Sequence, residues 1–426
     1  MPVISLPAGW RPKACPTQSW SSSSHVVRGS VTFVLHGALL VLALCIPVVV
    51  LADPVPPPLL SARAWLLLDA RTGTELGANE ADRRLPPASL TKMMTAYVLF
   101  SELRAGHLHL DDHATVSRYA AHLPGARMFL TAGESVAIQD LLKGMLVQSG
   151  NDATFTLVEH AAGNLPAFVA RMNTEAKRLG LANTHFANAT GLQNPAHYST
   201  ARDLAHLASA LRRDFPEYLD WFRLREFTWA GITQLNRNLL LGRLPEVDGL
   251  KTGHTEAAGY CLAVSAARDA MQLVAVVLGS ESEAARAHHG RTLIEYGFRA
   301  FETRPLLRAG VAVASVPVWL GSDDEVALGS ADDKWLTLPR GEFERLQIRT
   351  LLPESVQAPV PLQAAIGQLQ WWIDDARRQE IPLISLHAVG EGSLAKRTSD
   401  RLRYWWHHGV QAQAAPSPVT LDHGLR

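Results

Sequence analysis

Along this chain, runs of apolar residues alternate with short polar and glycine- or proline-rich breaks. The period of each run predicts the element that it forms. Ala64 to Asp69 is an apolar run followed by turn chemistry at Ala70 to Gly73, and Thr74 to Ala78 returns as the second strand of a hairpin. Pro86-Pro87-Ala88 ends extended structure and opens a helix through Met93, Met94, Tyr97, Val98 and Phe100. Leu141 to Val147 reads as the buried end of a helix running into the turn Ser149-Gly150-Asn151, where the glycine permits a tight bend. Gly259 to Ala267, the turn Arg268-Asp269-Ala270 and the run Leu273 to Gly279 predict an antiparallel hairpin, continuous with Leu250 to Thr255 before it.

Beyond Thr303 the texture changes. Arg308 to Leu320, Glu325 to Leu328, Lys334 to Leu338, Glu344 to Leu352, Ile366 to Ile373 and Ile381 to Leu386 are short β-rich runs between turn residues, which predicts a small all-β domain. Trp371 and Trp372 are adjacent, so on a strand they face opposite sides and only one need be core. At the C-terminus Leu394, Leu402, Trp405, Trp406 and Val410 fall near one helical face, with Lys396, Arg397, Arg401 and Arg403 elsewhere. That amphipathic pattern suits a helix lying on a membrane surface, the alternative being a terminal helix packed on the β-domain. A tail rich in Gln, Ala and Pro follows, expected to be disordered.

The N-terminus carries an export pattern. Arg11, Lys13 and Arg28 precede the apolar stretch Val31 to Leu51, and Val50-Leu51-Ala52 fits a cleavage site, so residues 1–52 read as a signal peptide. An uncleaved anchor is the competing reading, since about twenty apolar residues can span a bilayer. Cleavage as a lipoprotein at Cys45 is disfavoured by the bulk of Leu44. The expected organisation is then a Pro-rich linker at 53–61, a catalytic domain at 62–303, the β-domain at 304–391, the amphipathic helix at 392–412 and the tail at 413–426.

Composition narrows the function class. The 426 residues are 47% hydrophobic, enough for two domains, and the formal net charge of +0 argues against a nucleic-acid binder. Of three cysteines, only Cys261 lies beyond the leader, inside an apolar run where a small buried hydrophobe is expected. His107-x-His109, His288-His289 and His407-His408 each lack a third partner in metal-site spacing, so no metal is expected.

Three motifs carry the chemistry: Ser89-Leu90-Thr91-Lys92, Ser149-Gly150-Asn151 and Lys251-Thr252-Gly253, separated by roughly sixty and a hundred residues. A serine hydroxyl needs a base, and three residues along a helix Lys92 shares its face. Lys92 must be neutral to accept a proton, which requires burial and a nearby cation; Lys251 is the expected one. The hydroxyl of Ser149 can relay a proton, and the Asn151 amide can hold a peptide carbonyl. Gly253 removes a side chain where ligand meets backbone, and the N–H that follows can join the start of the helix in an oxyanion site. Lysine with threonine hydroxyls suits a carboxylate, and Arg286, beyond the hairpin, can add a guanidinium.

These motifs, with Arg127-Met128-Phe129-Leu130, Leu179 to Phe186, Tyr198 to Asp203 and Gly297 to Thr303, resemble the D-alanyl-D-alanine carboxypeptidases of the type-5 low-molecular-mass penicillin-binding proteins. The resemblance runs from about Ala62 to Gly409. It implies an α+β fold of the β-lactamase/transpeptidase-like type, an antiparallel sheet flanked by helices, followed by a β-sandwich-like stalk and an anchor helix. It implies Ser89 as the acylated nucleophile, Lys92 as base, and Ser149 and Asn151 as relay and substrate holder. Lys251, Thr252 and Gly253 are the strand motif, with the His254 N–H beside that of Ser89, and Thr255 and Arg286 on the terminal carboxylate.

The implied substrate is the peptidoglycan pentapeptide stem, with β-lactams as covalent inhibitors and no cofactor. Endopeptidase action on cross-linked stems attacks the same bond and stays open, as do a homodimer and a non-catalytic wall-binding role. A serine β-lactamase is disfavoured: Glu159, Glu175, Glu217, Glu226 and Glu246 all lack the context of a deacylating glutamate.

Overall fold

The computed structural model describes residues 55–410. The leader and the terminal tail lie outside the described residues, as do the side chains of Trp405, Trp406 and Val410. The fold is α+β. Its first part is a five-stranded antiparallel sheet made of β1 (Ala64–Asp69), β2 (Glu75–Asn79), β3 (Val247–Thr255), β4 (Gly259–Arg268) and β5 (Met271–Ser280) in the order β2-β1-β5-β4-β3. The predicted hairpins are present, and Asp69 on β1 and Leu273 on β5 stand opposite each other.

Every residue of β1 is buried, because both faces of the sheet are covered. Alternation divides them. Leu66, Leu68, Cys261, Ala263, Val274 and Val276 face a helical layer that includes α1 (Lys92–Arg104), α2 (Ile138–Val147), α3 (Asn151–Ala162), α4 (Leu165–Arg178) and α5 (Ala201–Asp214). Trp65, Leu67, Leu262, Val264, Ala275 and Val277 face the opposite way, onto Leu293, Ile294 and Tyr296 of α6 (Glu283–Ala300). Cys261 is a buried member of the core, as its apolar setting implied, and burial pushes its thiol up to about 11.

The C-terminal part is all-β. It holds β6 (Phe301–Leu307), β7 (Ala314–Trp319), β8 (Glu325–Gly329), β9 (Lys334–Pro339), β10 (Leu346–Leu351), β11 (Val356–Gln357), β12 (Ala365–Ile373) and β13 (Ala376–Ser385). Six of these form a sheet in the order β10-β12-β13-β8-β7-β11, and β6 pairs with β9. The periodicity placed strand in Arg308 to Val313, where there is none, and overlooked β6, which follows α6 without a break. A strand that starts straight from a helix leaves no turn residues to mark it. Trp371 is buried, whereas Trp372 is half-buried under Arg349, whose guanidinium lies 4.6 Å from the ring.

The five-stranded sheet and the β6–β9 pair meet at a buried carboxylate. Asp69 Oδ2 accepts from the hydroxyls of Thr303 at 2.5 Å and Thr337 at 2.8 Å, tying the end of β1 to β6 and β9. The last helix, α7 (Leu394–Val410), docks on the β-domain through its polar side: Asp400 is buried and accepts from the Leu320 N–H, and Lys396 pairs with Asp324 at 2.8 Å. Leu394 and Leu402 remain 76% and 67% exposed. Among the described residues no helix is long and apolar enough to cross a membrane.

Candidate active site

The nucleophile turn is built from Pro87 onward. Ala88 to Thr91 form a single 3-10 turn that leads into α1, so the expected helix begins in a tighter winding. Ala88 lies in the left-handed region at φ 47, a costly conformation for an alanine that only its surroundings can maintain. Those surroundings are crowded on two sides. A Cβ on Gly191 would lie 1.8 Å from the Ala88 carbonyl oxygen, and one on Gly253 would lie 2.9 Å from the Ser89 nitrogen. Glycine at both positions lets the 188–192 loop and β3 close onto Ser89. No side chain caps the turn, so its first N–H groups are left for other acceptors.

Lys92 is fully buried, and its ammonium nitrogen has three oxygen neighbours: Asn151 Oδ1 at 2.7 Å, the Thr190 carbonyl at 2.9 Å and Ser89 Oγ at 3.2 Å. A neutral amine has two hydrogens and one lone pair. The two carbonyl oxygens take the hydrogens, because they can only accept, and the lone pair is left facing the serine hydroxyl. Burial, opposed by the Asp152 carboxylate and reinforced by the Arg237 guanidinium, lowers Lys92 to about 7.

The expected cation was Lys251, and this is corrected. Lys251 is itself held well below its ordinary value by burial and by Lys92, so the permanent positive charge acting on Lys92 is Arg237. Arginine is the better residue for that task, since it does not give up its own proton. No motif marks Arg237, and only the fold carries it to the cleft.

The second motif follows α2. Ser149 takes the left-handed conformation, at φ 68, and Gly150 does not, at φ −54. Glycine is needed there for a different reason than the expected bend: a Cβ would sit 2.9 Å from Asp152 Oδ1 and 3.2 Å from the Met128 nitrogen. Asp152 is buried and accepts from the N–H groups of Met128 and Leu130, which fixes the Arg127 to Leu130 segment over the site. Ser149 Oγ is buried and has no hydrogen-bond partner among the described residues. The Asn151 Nδ2 donates to the Pro124 carbonyl at 2.6 Å, so one of its two hydrogens remains for a ligand.

The motifs converge on one cleft of about 290 Å³, lined by Ser89, Ser149, Asn151, Thr252, Gly253, His254, Thr255 and Arg286 together with Thr190 and Arg237. Lys251 is buried beneath it and donates to the Thr252 carbonyl. The His254 ring stacks on Tyr260 at 4.1 Å, pointing that side chain outward. Thr255 Oγ1 accepts from the Ala258 N–H. Arg286 is 3% exposed and anchored by the Arg237 carbonyl at 3.0 Å and Glu283 at 2.7 Å. With β3 at the edge of the sheet, a peptide can lie against a free strand edge in a cationic cleft.

A serine, a buried amine with its lone pair on that serine, and a cationic pocket at a strand edge describe an acyl-transfer site for a peptide carboxy-terminus. The sequence profile of the D-alanyl-D-alanine carboxypeptidases matches residues 52–282, and that of the penicillin-binding protein 5 C-terminal domain matches residues 301–391. The chain belongs to the D-alanyl-D-alanine carboxypeptidase family. It is 38% identical over 359 residues to the D-alanyl-D-alanine carboxypeptidase DacA of Escherichia coli K12, covering 82% of this chain and 89% of that one. DacD of Salmonella typhimurium is 37% identical over 356 residues, covering 82% and 91%.

Among solved structures, penicillin-binding protein 5 of Haemophilus influenzae superposes with a TM-score of 0.76 at 38% identity, covering 79% of this chain and all of that one. The Streptomyces K15 DD-transpeptidase superposes at 0.54 with 31% identity and covers 57% of this chain. In this carboxypeptidase fold the ten residues singled out from the sequence, nine by motif and Arg286 by its spacing after the last one, fall at one place, Lys251 just under the floor and the others on the walls or behind Ser89. What motif reading missed, Arg237, Thr190 and Gly191, comes from loops whose sequence offers only a glycine as a signal.

Proposed function

We propose that the enzyme removes the terminal D-alanine from peptidoglycan pentapeptide stems through an acyl-enzyme on Ser89. The observation that carries this reading is the buried Lys92 amine, 3.2 Å from Ser89 Oγ and within hydrogen-bond reach of two carbonyl oxygens that can only accept its hydrogens. Neutral Lys92 takes the hydroxyl proton as Ser89 attacks the carbonyl of the penultimate D-alanine. The N–H groups of Ser89 and His254 receive the oxyanion. Ser149, with its unpartnered hydroxyl, passes the proton to the departing amine. Lys251, Thr252, Thr255 and Arg286 hold the terminal carboxylate, and Asn151 holds a stem carbonyl.

Water then releases the tetrapeptide. β-Lactams acylate the same serine and leave slowly. In support, Glu175, Glu217 and Glu246 pair with Arg178, Arg104 and Arg268, and neither Glu159 nor Glu226 lines the cleft.

The site is read as periplasmic, following the leader at 1–52, with the catalytic domain held at the outer face of the cytoplasmic membrane by α7. Its polar side faces the β-domain while Leu394 and Leu402 stay outward, an arrangement suited to lying on a bilayer. Intact-protein mass spectrometry with a pentapeptide ending in D-Ala-D-Ala, with penicillin, and with Ser89→Ala tests the chemistry. Loss of one D-alanine and a persistent penicilloyl adduct absent from the variant are expected; an adduct without peptide turnover would move the enzyme to cross-linked substrates. Binding to anionic vesicles that persists after deletion of residues 392–426 would refute the anchor.

A further inference from the structure

Behind the nucleophile turn lies a buried histidine that the reaction scheme leaves unused. His197 is 4% exposed and packs edge-on against Phe186. Its Nδ1 accepts from the Ala187 N–H at 3.0 Å, so the ring proton resides on Nε2. That Nε2–H donates to Thr91 Oγ1 at 2.7 Å, and the Thr91 hydroxyl donates in turn to the Ala88 carbonyl at 2.8 Å. The three groups form a directed chain with each hydrogen accounted for.

The chain ends on a peptide of special importance. The Ala88 carbonyl and the Ser89 N–H share one planar unit, so holding the oxygen sets the direction of the hydrogen. Ala88 is in the left-handed region, where an alanine does not rest unaided, and the approach of Gly191 leaves that oxygen little room. We infer that His197 is a positioning residue for the oxyanion site: through Thr91 it locks the Ala88–Ser89 peptide plane with the Ser89 N–H toward the cleft. The inference rests on the reading of Ser89 as nucleophile and of its N–H as an oxyanion donor.

His197 keeps the required neutral form. Burial and the neighbouring His185 hold it down to about 4, and Arg84 lines the surface cavity that His197 borders. Protonation would also turn Nδ1 into a donor facing the Ala187 N–H.

The test uses the full chain and compares four single variants and one double variant by second-order acylation of Ser89 with penicillin, and by kcat and KM on a D-Ala-D-Ala peptide, each normalised to the penicillin-titratable fraction. Thr91→Val and His197→Asn break the chain and should lower acylation and kcat by about ten- to a hundredfold, with KM changed by less than about threefold. His197→Gln sets an amide N–H near the Nε2 position, and Thr91→Ser retains the hydroxyl, so both should recover most of the rate. The double variant Thr91→Val/His197→Asn should be no slower than either single one. Equal losses in His197→Gln and His197→Asn, or a rise in KM at constant kcat, would overturn the assignment. Absence of any Ser89 adduct in the wild-type enzyme would instead overturn the underlying nucleophile reading.

Discussion

Acidification should switch the enzyme off by protonating Lys92, with a midpoint set by the burial of one amine. An ordinary lysine is neutral in about one molecule in 3,000 at pH 7, whereas a lysine at 7 is neutral in about half, a gain of about 1,500-fold in available base. Acylation by penicillin, followed by stopped-flow or mass spectrometry between about pH 5 and 9, should therefore rise tenfold per unit below 7 and level off above it. At about pH 5 the rate should be about a hundredth of the plateau.

Arg237→Gln removes the cation that opposes protonation, so the rising limb should move to higher pH with the plateau reached later. The displacement should be smaller than the whole shift, because burial is the larger cause. Lys92→Arg puts an undeprotonatable group at the position and should abolish acylation. A rate flat from about pH 5 to 8, or a midpoint near that of free lysine, would refute the assignment of Lys92 as base. The sign for stability runs the same way: folded Lys92 gives up its proton near 7 and unfolded Lys92 near 10.5, so this group makes folding more favourable as pH rises between those values.

Arg286→Ala should raise KM for D-Ala-D-Ala peptides by about tenfold or more, in line with loss of a charged hydrogen bond, and leave penicillin-titratable sites intact; an unchanged KM in a steady-state assay removes Arg286 from the carboxylate site. Gly253→Ala places a methyl 2.9 Å from the Ser89 nitrogen, so acylation should fall by about a hundredfold while circular dichroism stays native. Ser149→Ala should lower kcat by about a hundredfold or more without lowering Tm, because its buried hydroxyl has no partner to lose. A fall in Tm of several degrees would assign Ser149 a structural role.

How far the site could be read from the chain differs from residue to residue. Ser89 and Lys92 lie three positions apart on one helical start, so local geometry alone brings them together, and their 3.2 Å separation agrees. Gly253 was legible as a close approach, though which group approaches it was not. Gly150 was legible as a glycine requirement but for the wrong reason, since a bend and a steric squeeze leave the same residue in the sequence. Lys251 was read as an ordinary cation, whereas burial and Lys92 hold it well below its ordinary value, and burial depends on neighbours distant along the chain.

By itself the sequence determined the hairpins, the helix behind Ser89, the three motifs in order and the change to an all-β region after Thr303. These follow from periodicity and from turn chemistry acting over a few residues, which the chain carries locally. Tertiary structure alone decided that Arg237 supplies the fixed charge on Lys92, that Thr190 takes one of its hydrogens and that His197 reaches the nucleophile turn. The reason is physical: a pKa, a lone-pair direction and the tilt of one peptide plane are set by groups about a hundred or more residues away, brought together only when the sheet and helices close around them.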